Sequence, residues 1–221
     1  MTTFAEAIPH GQLIPRVHAV TNDEVVARSD FIDVACAIMR ALGPRGALHL
    51  RASRTTGARF QSLAEGLAAA QGLTGAWLVI NDRVDVALVA GARGAQLTSR
   101  SLTAGDARQI APSLALGASV HGLEDARAAI AAGADWLVAG QVFDTPAHPE
   151  TPEKGVQWLR LLVGISSVPV IAIGGVRCDH IPALRAAGAY GVAVIRGIWD
   201  APNAERAASE YLSAYDDAGA G

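Results

Sequence analysis

Val168-Pro169-Val170-Ile171-Ala172-Ile173-Gly174-Gly175 is an apolar, β-branched run that stops on two glycines. A second run, Gly191-Val192-Ala193-Val194-Ile195-Arg196-Gly197, stops the same way. Each reads as a strand feeding a glycine turn. Amides freed by glycine bind phosphate well. In a (β/α)8 barrel the loops after the last two strands are the usual phosphate grip. Glycines that merely turn the chain would account for either run alone. Two such turns on consecutive strands, at the end of a βα series, favour phosphate.

Working back from this pair, the chain alternates short β-like runs with helical stretches throughout. The strands are expected at 16–21, 47–51, 76–80, 95–97, 116–120, 136–139, 168–173 and 191–195. The helices are expected at 30–42, 57–71, 84–90, 104–110, 123–132, 155–163, 180–187 and 204–215. Strands alternating with helices imply parallel βα units. Eight units close into a barrel and leave no sheet edge. The fold class is therefore α/β, a single-domain (β/α)8 TIM barrel over 1–221, with flexible tails expected at 1–13 and 216–221. Ser29-Asp30 is placed to cap the first helix and Gly43-Pro44 to end it. Ala-Ala-Gly recurs at 131–133 and 186–188, where glycine closes a helix before a strand.

At 221 residues the length suits one barrel, and a hydrophobic content of 51% allows a large core. A net charge of −3 argues against nucleic acid or an anionic membrane as partner. No apolar run reaches the length of a membrane span. The start, Met1-Thr2-Thr3-Phe4-Ala5-Glu6, lacks a basic-then-apolar signal pattern. Cys36 and Cys178 are far apart and read as reduced thiols, which suits the cytoplasm. There is no Walker lysine motif, no metal-type His/Cys cluster and no Gly-x-Ser-x-Gly elbow.

Barrel chemistry sits at the C-terminal ends of the strands, and unusual residues fall there. His121 follows the fifth strand; an imidazole both takes and gives a proton near neutrality. A hydrogen-bonded histidine at the mouth is the competing reading. His49 and Arg51 share parity, so both point into the barrel if Leu48 and Leu50 face the helices. A guanidinium at Arg51 suits a carboxylate or phosphate; an internal ion pair is the alternative. Asn81-Asp82 ends strand three and could simply cap the next helix. Gln96 could meet a ligand's polar edge or make an internal hydrogen bond. Ser119 ends strand five. Arg196 lies within the second glycine turn, where a solvent-facing side chain is the plainer account. Trp136 and Trp158 read as packing residues. His148 sits in a proline-rich loop, 146–149, suited to closing over a site.

These stretches resemble the thiamine phosphate synthase superfamily over nearly the whole chain. The likeness rests on His18-Ala19-Val20-Thr21-Asn22-Asp23, Ile80 to Leu88, Ser119-Val120-His121, the 140–145 stretch and Ile171 to Gly175. The superfamily has two main branches. Its synthases join a pyrimidine diphosphate to a thiazole phosphate and use magnesium. They show Gln-x-Arg-x-Lys on strand two, where this chain has His49, Arg51 and Ser53. They show a magnesium-binding aspartate after strand four, where this chain has Ser101. The Thr-x-Thr-Lys of their sixth loop reads Thr145-Pro146-Ala147-His148 here. Asp82 is kept.

These departures resemble the other branch, the TenI-like thiazole tautomerases. The shared features are His49-Leu50-Arg51, Gln96-Leu97 and Ser119 to Glu124. That resemblance implies a cofactor-independent isomerase of thiamine biosynthesis, with His121 as the proton carrier. With it go Arg51, His49, Asn81, Gln96 and Ser119 as substrate contacts and Gly174, Gly175 and Gly197 as the phosphate grip; Arg196, where the family commonly has a small residue, is assigned to that grip by its place in the turn. No metal or cofactor is expected, the partner is a small phosphorylated thiazole, and a homodimer is in keeping with the family. A true synthase, and a barrel that binds a thiazole or thiamine phosphate without turnover, are the alternatives.

Overall fold

The computed structural model describes residues 13–145, 150 and 152–218. Eight parallel strands close on themselves in sequence order. They are β1 Val17–Val20, β2 Gly46–Leu50, β3 Trp77–Asn81, β4 Gly94–Leu97, β5 Ala115–Val120, β6 Trp136–Ala139, β7 Val170–Ile173 and β8 Gly191–Val194. Closure is made by β1 on β8, with Val17 opposite Val192 and Ala19 opposite Val194. Each expected strand is present, with ends moved by at most two residues. No helix among the described residues is long and apolar enough to cross a membrane.

The helices are α1 Asp23–Val26, α2 Phe31–Leu42, α3 Gly57–Thr74, α4 Val84–Ala90, α5 Ala104–Ile110, α6 Leu123–Ala131, α7 Gly155–Ile165, α8 Ile181–Ala186, α9 Arg196–Trp199 and α10 Ala204–Asp217. Single-turn helices α1 and α9 were not expected, because four residues carry no helical period. Asn22 caps α1 by accepting from the Val25 N–H at 2.8 Å. Asp30 stands at the start of α2 without the side-chain cap bond expected of it. Gly43, at φ +53°, ends that helix as foreseen. Asp216 and Asp217, expected in a flexible tail, instead complete α10; 219–221 lie outside the described residues. Arg45 holds Asp216 at 2.5 Å. Residues 1–12, and the 146–149 loop with His148, lie outside the described residues.

Two apolar layers follow from strand parity. Leu48, Leu50, Leu78, Ile80, Leu116 and Leu137 pack outward against the helices. Ala47, Trp77, Val79, Ala115, Trp136, Val138 and Ile171 fill the barrel. Full burial of each large side chain contributes about 1.5–3 kcal/mol over leaving it in water. Trp136 and Trp77 meet edge to face, ring centres 6.5 Å apart at 79°. Room for Trp136 comes from Gly117, where a Cβ would stand 2.2 Å from the indole Cε2.

Candidate active site

Inside the barrel, toward the mouth, the filling turns polar. His49 and Arg51 share the inward parity expected of them, with Leu48 and Leu50 outside. His49 does not reach the mouth. It is 1% exposed, and its Nε2 lies 2.8 Å from His18 Nδ1. His18 Nε2 lies 2.9 Å from the Pro15 carbonyl, which can only accept. That fixes the pair: His18 carries its proton on Nε2, and His49 Nε2 donates to His18 Nδ1. Burial lowers the His18 pKa to about 4, against a smaller upward pull from the Pro15 carbonyl. Burial also holds His49 well below its usual value; His18 adds to the shift and Asn81 counters it. Both rings are neutral at pH 7. His49 is therefore corrected from a substrate contact to a member of the barrel's polar filling.

Gln96 is corrected for the same reason. Its Oε1 accepts from Trp136 Nε1 at 3.0 Å and its Nε2 donates to Ser119 Oγ at 3.0 Å. Both ends of a buried amide are thus satisfied inside the protein. The Ser119 hydroxyl stands at the rim, half-buried, with its proton free to turn toward the mouth.

A cleft of about 220 Å³ opens above β2 and β3, lined among others by Arg51, Ser53, Asn81, Asp82, Arg83 and Arg100. Arg51 main-chain groups are pinned by Thr21 Oγ1, at 2.8 Å in each direction. Its guanidinium faces the cleft. Asn81 is 7% exposed, and its Oδ1 has no hydrogen-bond partner. Asp82 adopts a left-handed backbone at φ +62°, which Asp tolerates better than most residues. It does not cap α4. Its Oδ1 accepts instead from Thr98 Oγ1 at 2.7 Å and Thr98 N at 3.1 Å.

Across the mouth, His121 is exposed at the end of β5. Its Nδ1 lies 3.1 Å from the Gly140 carbonyl, so Nδ1 carries the proton and Nε2 is left as an acceptor. Lys154, the only lysine in the chain, donates to the His121 carbonyl at 2.5 Å. Lys154 stands beyond the 146–149 loop, at the start of α7, where the sequence alone gives no sign that it meets the mouth.

Gly174 and Gly175 have φ of +99° and +62°. A Cβ on Gly175 would stand 2.4 Å from the Asp144 carbonyl oxygen, so the turn packs tightly on the loop after β6. That loop continues the sheet: Val142 N donates to Ile173 O and Phe143 N to Gly174 O, both at 3.0 Å. On Gly197 a Cβ would stand 2.2 Å from Tyr211 Oη, which donates to the Val176 carbonyl at 3.0 Å. The N–H groups of Gly174, Gly175, Arg196 and Gly197 donate to nothing among the described residues. Arg196 is exposed beside them.

Fold and mouth define a class: a closed parallel barrel with glycine turns after strands seven and eight, and an arginine-lined cleft beside strands two and three. The thiamine monophosphate synthase family model matches residues 17–198. The chain belongs to that family. It is 36% identical over 144 residues to a thiamine-phosphate synthase from Caldivirga maquilingensis, covering 65% of this chain and 70% of that one. It is 43% identical over 142 residues to one from Salinispora arenicola, covering 63% and 68%. Against the Pyrococcus abyssi relative the match spans 63% of that protein. The solved thiamine phosphate pyrophosphorylase from Pyrococcus furiosus superposes with a TM-score of 0.80 at 28% identity, over 92% of this chain and 96% of that one.

These names overturn the expectation of a thiazole tautomerase. The expectation rested on the kept His121 and glycine turns beside changed magnesium and diphosphate positions, whereas the relatives at 36–43% identity over 63–65% of the chain are named as synthases.

Magnesium, which the family's synthases use, fits poorly here. A hard dication takes oxygen ligands, usually with one or two carboxylates beside substrate phosphates. Asp82 already commits Oδ1 to two donors. At the position of the second carboxylate, Ser101 Oγ donates to the Thr98 carbonyl at 3.0 Å and receives Thr98 N at 3.0 Å. Among the described residues no group of three or more His, Cys, Asp or Glu could hold a metal ion.

Proposed function

We propose that this chain is a transferase of the thiamine-phosphate-synthase kind, joining a phosphorylated thiazole to a pyrimidine carried on a methylene diphosphate. The carrying observation is the 36–43% identity to proteins of that name over 142–144 residues, 63–65% of the chain. In the reaction the thiazole ring nitrogen gives its lone pair to the methylene carbon. The carbon–oxygen bond breaks, and its electrons leave with diphosphate. No proton need move between carbons.

The residues take roles that suit this chemistry. Gly174, Gly175 and Gly197 present bare amides to the thiazole phosphate, with Arg196 at the edge. Arg51 receives the leaving diphosphate. Asn81 presents a buried, unpaired carbonyl to a donor on the substrate, and Ser119 offers a hydroxyl on the other side. Catalysis here is mostly positioning and charge stabilisation of the leaving group. The cytoplasm is the compartment we assign, in keeping with two unpaired thiols, Cys36 and Cys178.

The test is incubation with both substrates and magnesium, followed by chromatography. Thiamine phosphate should accumulate only when both substrates are present. A second reading, a barrel that binds a thiazole or thiamine phosphate without turnover, is favoured by Ser53 and Ser101 standing where synthases carry lysine and aspartate. Tight binding of the phosphorylated thiazole with no product would support it.

A further inference from the structure

The loop after β4 carries a positive charge, Arg100. Thr98 and Ser101 close a tight turn, with Ser101 N donating to Thr98 O at 3.1 Å. Asp82 clamps that turn through Thr98, and Arg100 N donates to Thr98 Oγ1 at 3.3 Å. The carboxylate thus acts on the loop that bears Arg100. Arg100 lines the same cleft as Arg51. Arg83 lines it too, but both arms of its fork are on Asp85, at 2.8 and 2.6 Å. The guanidiniums of Arg51 and Arg100 have no hydrogen-bond or ion-pair partner among the described residues. Asn81, whose buried Oδ1 makes no hydrogen bond, lines the same cleft.

Charge balance makes the consequence clear. Two carboxylates and one dication sum to zero. With the Ser101 hydroxyl at the position of the second carboxylate, Asp82 and the neighbouring Arg100 also sum to zero. Arg51 then remains as surplus positive charge facing the cleft. A guanidinium fork matches phosphate oxygens two at a time, and it supplies fixed charge without a metal.

We infer that Arg100 stands in for the divalent cation, so that the cleft grips a diphosphate directly between Arg51 and Arg100. The inference rests on the transferase reading for its biological meaning, but not for its test. The charge that grows on the departing diphosphate meets two guanidiniums left free of internal partners among the described residues, on backbone held at Arg51 by Thr21 and at Arg100 by Thr98. Asp82 serves as a positioning residue for the Arg100 loop.

The experiment is calorimetric titration of the full-length protein with inorganic diphosphate, once in EDTA and once in magnesium. Binding should persist in EDTA, with affinities in the two buffers agreeing within about threefold. Losing one charge-assisted contact should make Arg100→Ala weaken binding in EDTA by about tenfold or more. Arg100→Lys should recover part of the loss, since it keeps the charge without the fork. Arg206→Ala, on the far surface of α10, should bind as the parent does. Binding that appears only with magnesium overturns the inference. So does an Arg100→Ala variant that binds diphosphate like the parent, for then the anion sits elsewhere, such as at the glycine turns. Metal-free binding without thiamine phosphate formation would sink the transferase reading alone. Product formation with strictly magnesium-dependent binding would sink this inference alone.

Discussion

His49 Nε2 donates to His18 Nδ1 across 2.8 Å, and His18 passes the pattern on to the Pro15 carbonyl at 2.9 Å. Two imidazoles, tilted 58° to each other, thereby form a hydrogen-bonded chain inside the barrel, each in one neutral tautomer.

Acid should therefore weaken this fold. His18 has a folded pKa of about 4 against 6.5 as a free group, so the unfolded chain binds more protons between those values. Stability is full above pH 6.5 and falls as pH drops toward 4. The loss from His18 alone is about 3 kcal/mol, and His49 shifts in the same direction. Urea melts at pH 7 and pH 4.5 measure it. His18→Gln should flatten the dependence; equal acid sensitivity in that variant would show that the pair is not the source.

Gly117 should tolerate no side chain. Its absent Cβ leaves room for Trp136 Cε2 at 2.2 Å and Gln96 Oε1 at 2.3 Å. Gly117→Ala forces the indole and its Gln96 acceptor apart in a close-packed interior, costing about 1–3 kcal/mol or more. Thermal melts should show a Tm lower by at least about 2 °C. An unchanged Tm would mean that Trp136 can move freely.

Gly197 and Tyr211 should be coupled. Gly197→Ala clashes with the Tyr211 hydroxyl at 2.2 Å, whereas the next ring atom, Cζ, lies at 3.1 Å. Tyr211→Phe removes the clash and also the bond to Val176, which contributes about 1 kcal/mol. In a double-mutant cycle the cost of Gly197→Ala should be at least about 1 kcal/mol smaller in the Tyr211→Phe background. Simple additivity would show that the two residues do not compete for space.

His121 distinguishes bond formation from isomerisation. The ring is exposed and holds one hydrogen bond, so His121→Ala should alter stability by less than about 0.5 kcal/mol. Joining nitrogen to a methylene needs no proton carrier between carbons. Formation of thiamine phosphate should stay within about threefold of the parent, whereas loss of an essential acid–base group costs about 10²–10⁴-fold. Steady-state rates of both proteins decide between these outcomes.

The fold was legible because it rests on local pattern. Apolar runs such as 136–139, and the parity of Leu48, His49 and Leu50, name strands and inner faces without any partner. The glycines of the last two turns stood out for the same reason. What stayed hidden depends on pairing across strands. Gln96 looks available until Trp136 and Ser119, far along the chain, take both ends of its amide. His49 looks like a ligand contact until His18 closes over it. Arg100 sits in a polar loop that reads as ordinary helix-cap sequence. Only the fold brings it to the cleft of Arg51. The functional expectation failed because a few residues at the mouth outweighed a likeness to synthases that extends over 63–65% of the chain.

The most direct measurement is the stoichiometry of the transfer itself. Purified protein should be mixed with the pyrimidine methylene diphosphate and the phosphorylated thiazole, and diphosphate and thiamine phosphate counted together. The account predicts one diphosphate released for each thiamine phosphate formed, and neither when one substrate is omitted. Saturable binding of the phosphorylated thiazole with no diphosphate released over many hours would contradict it.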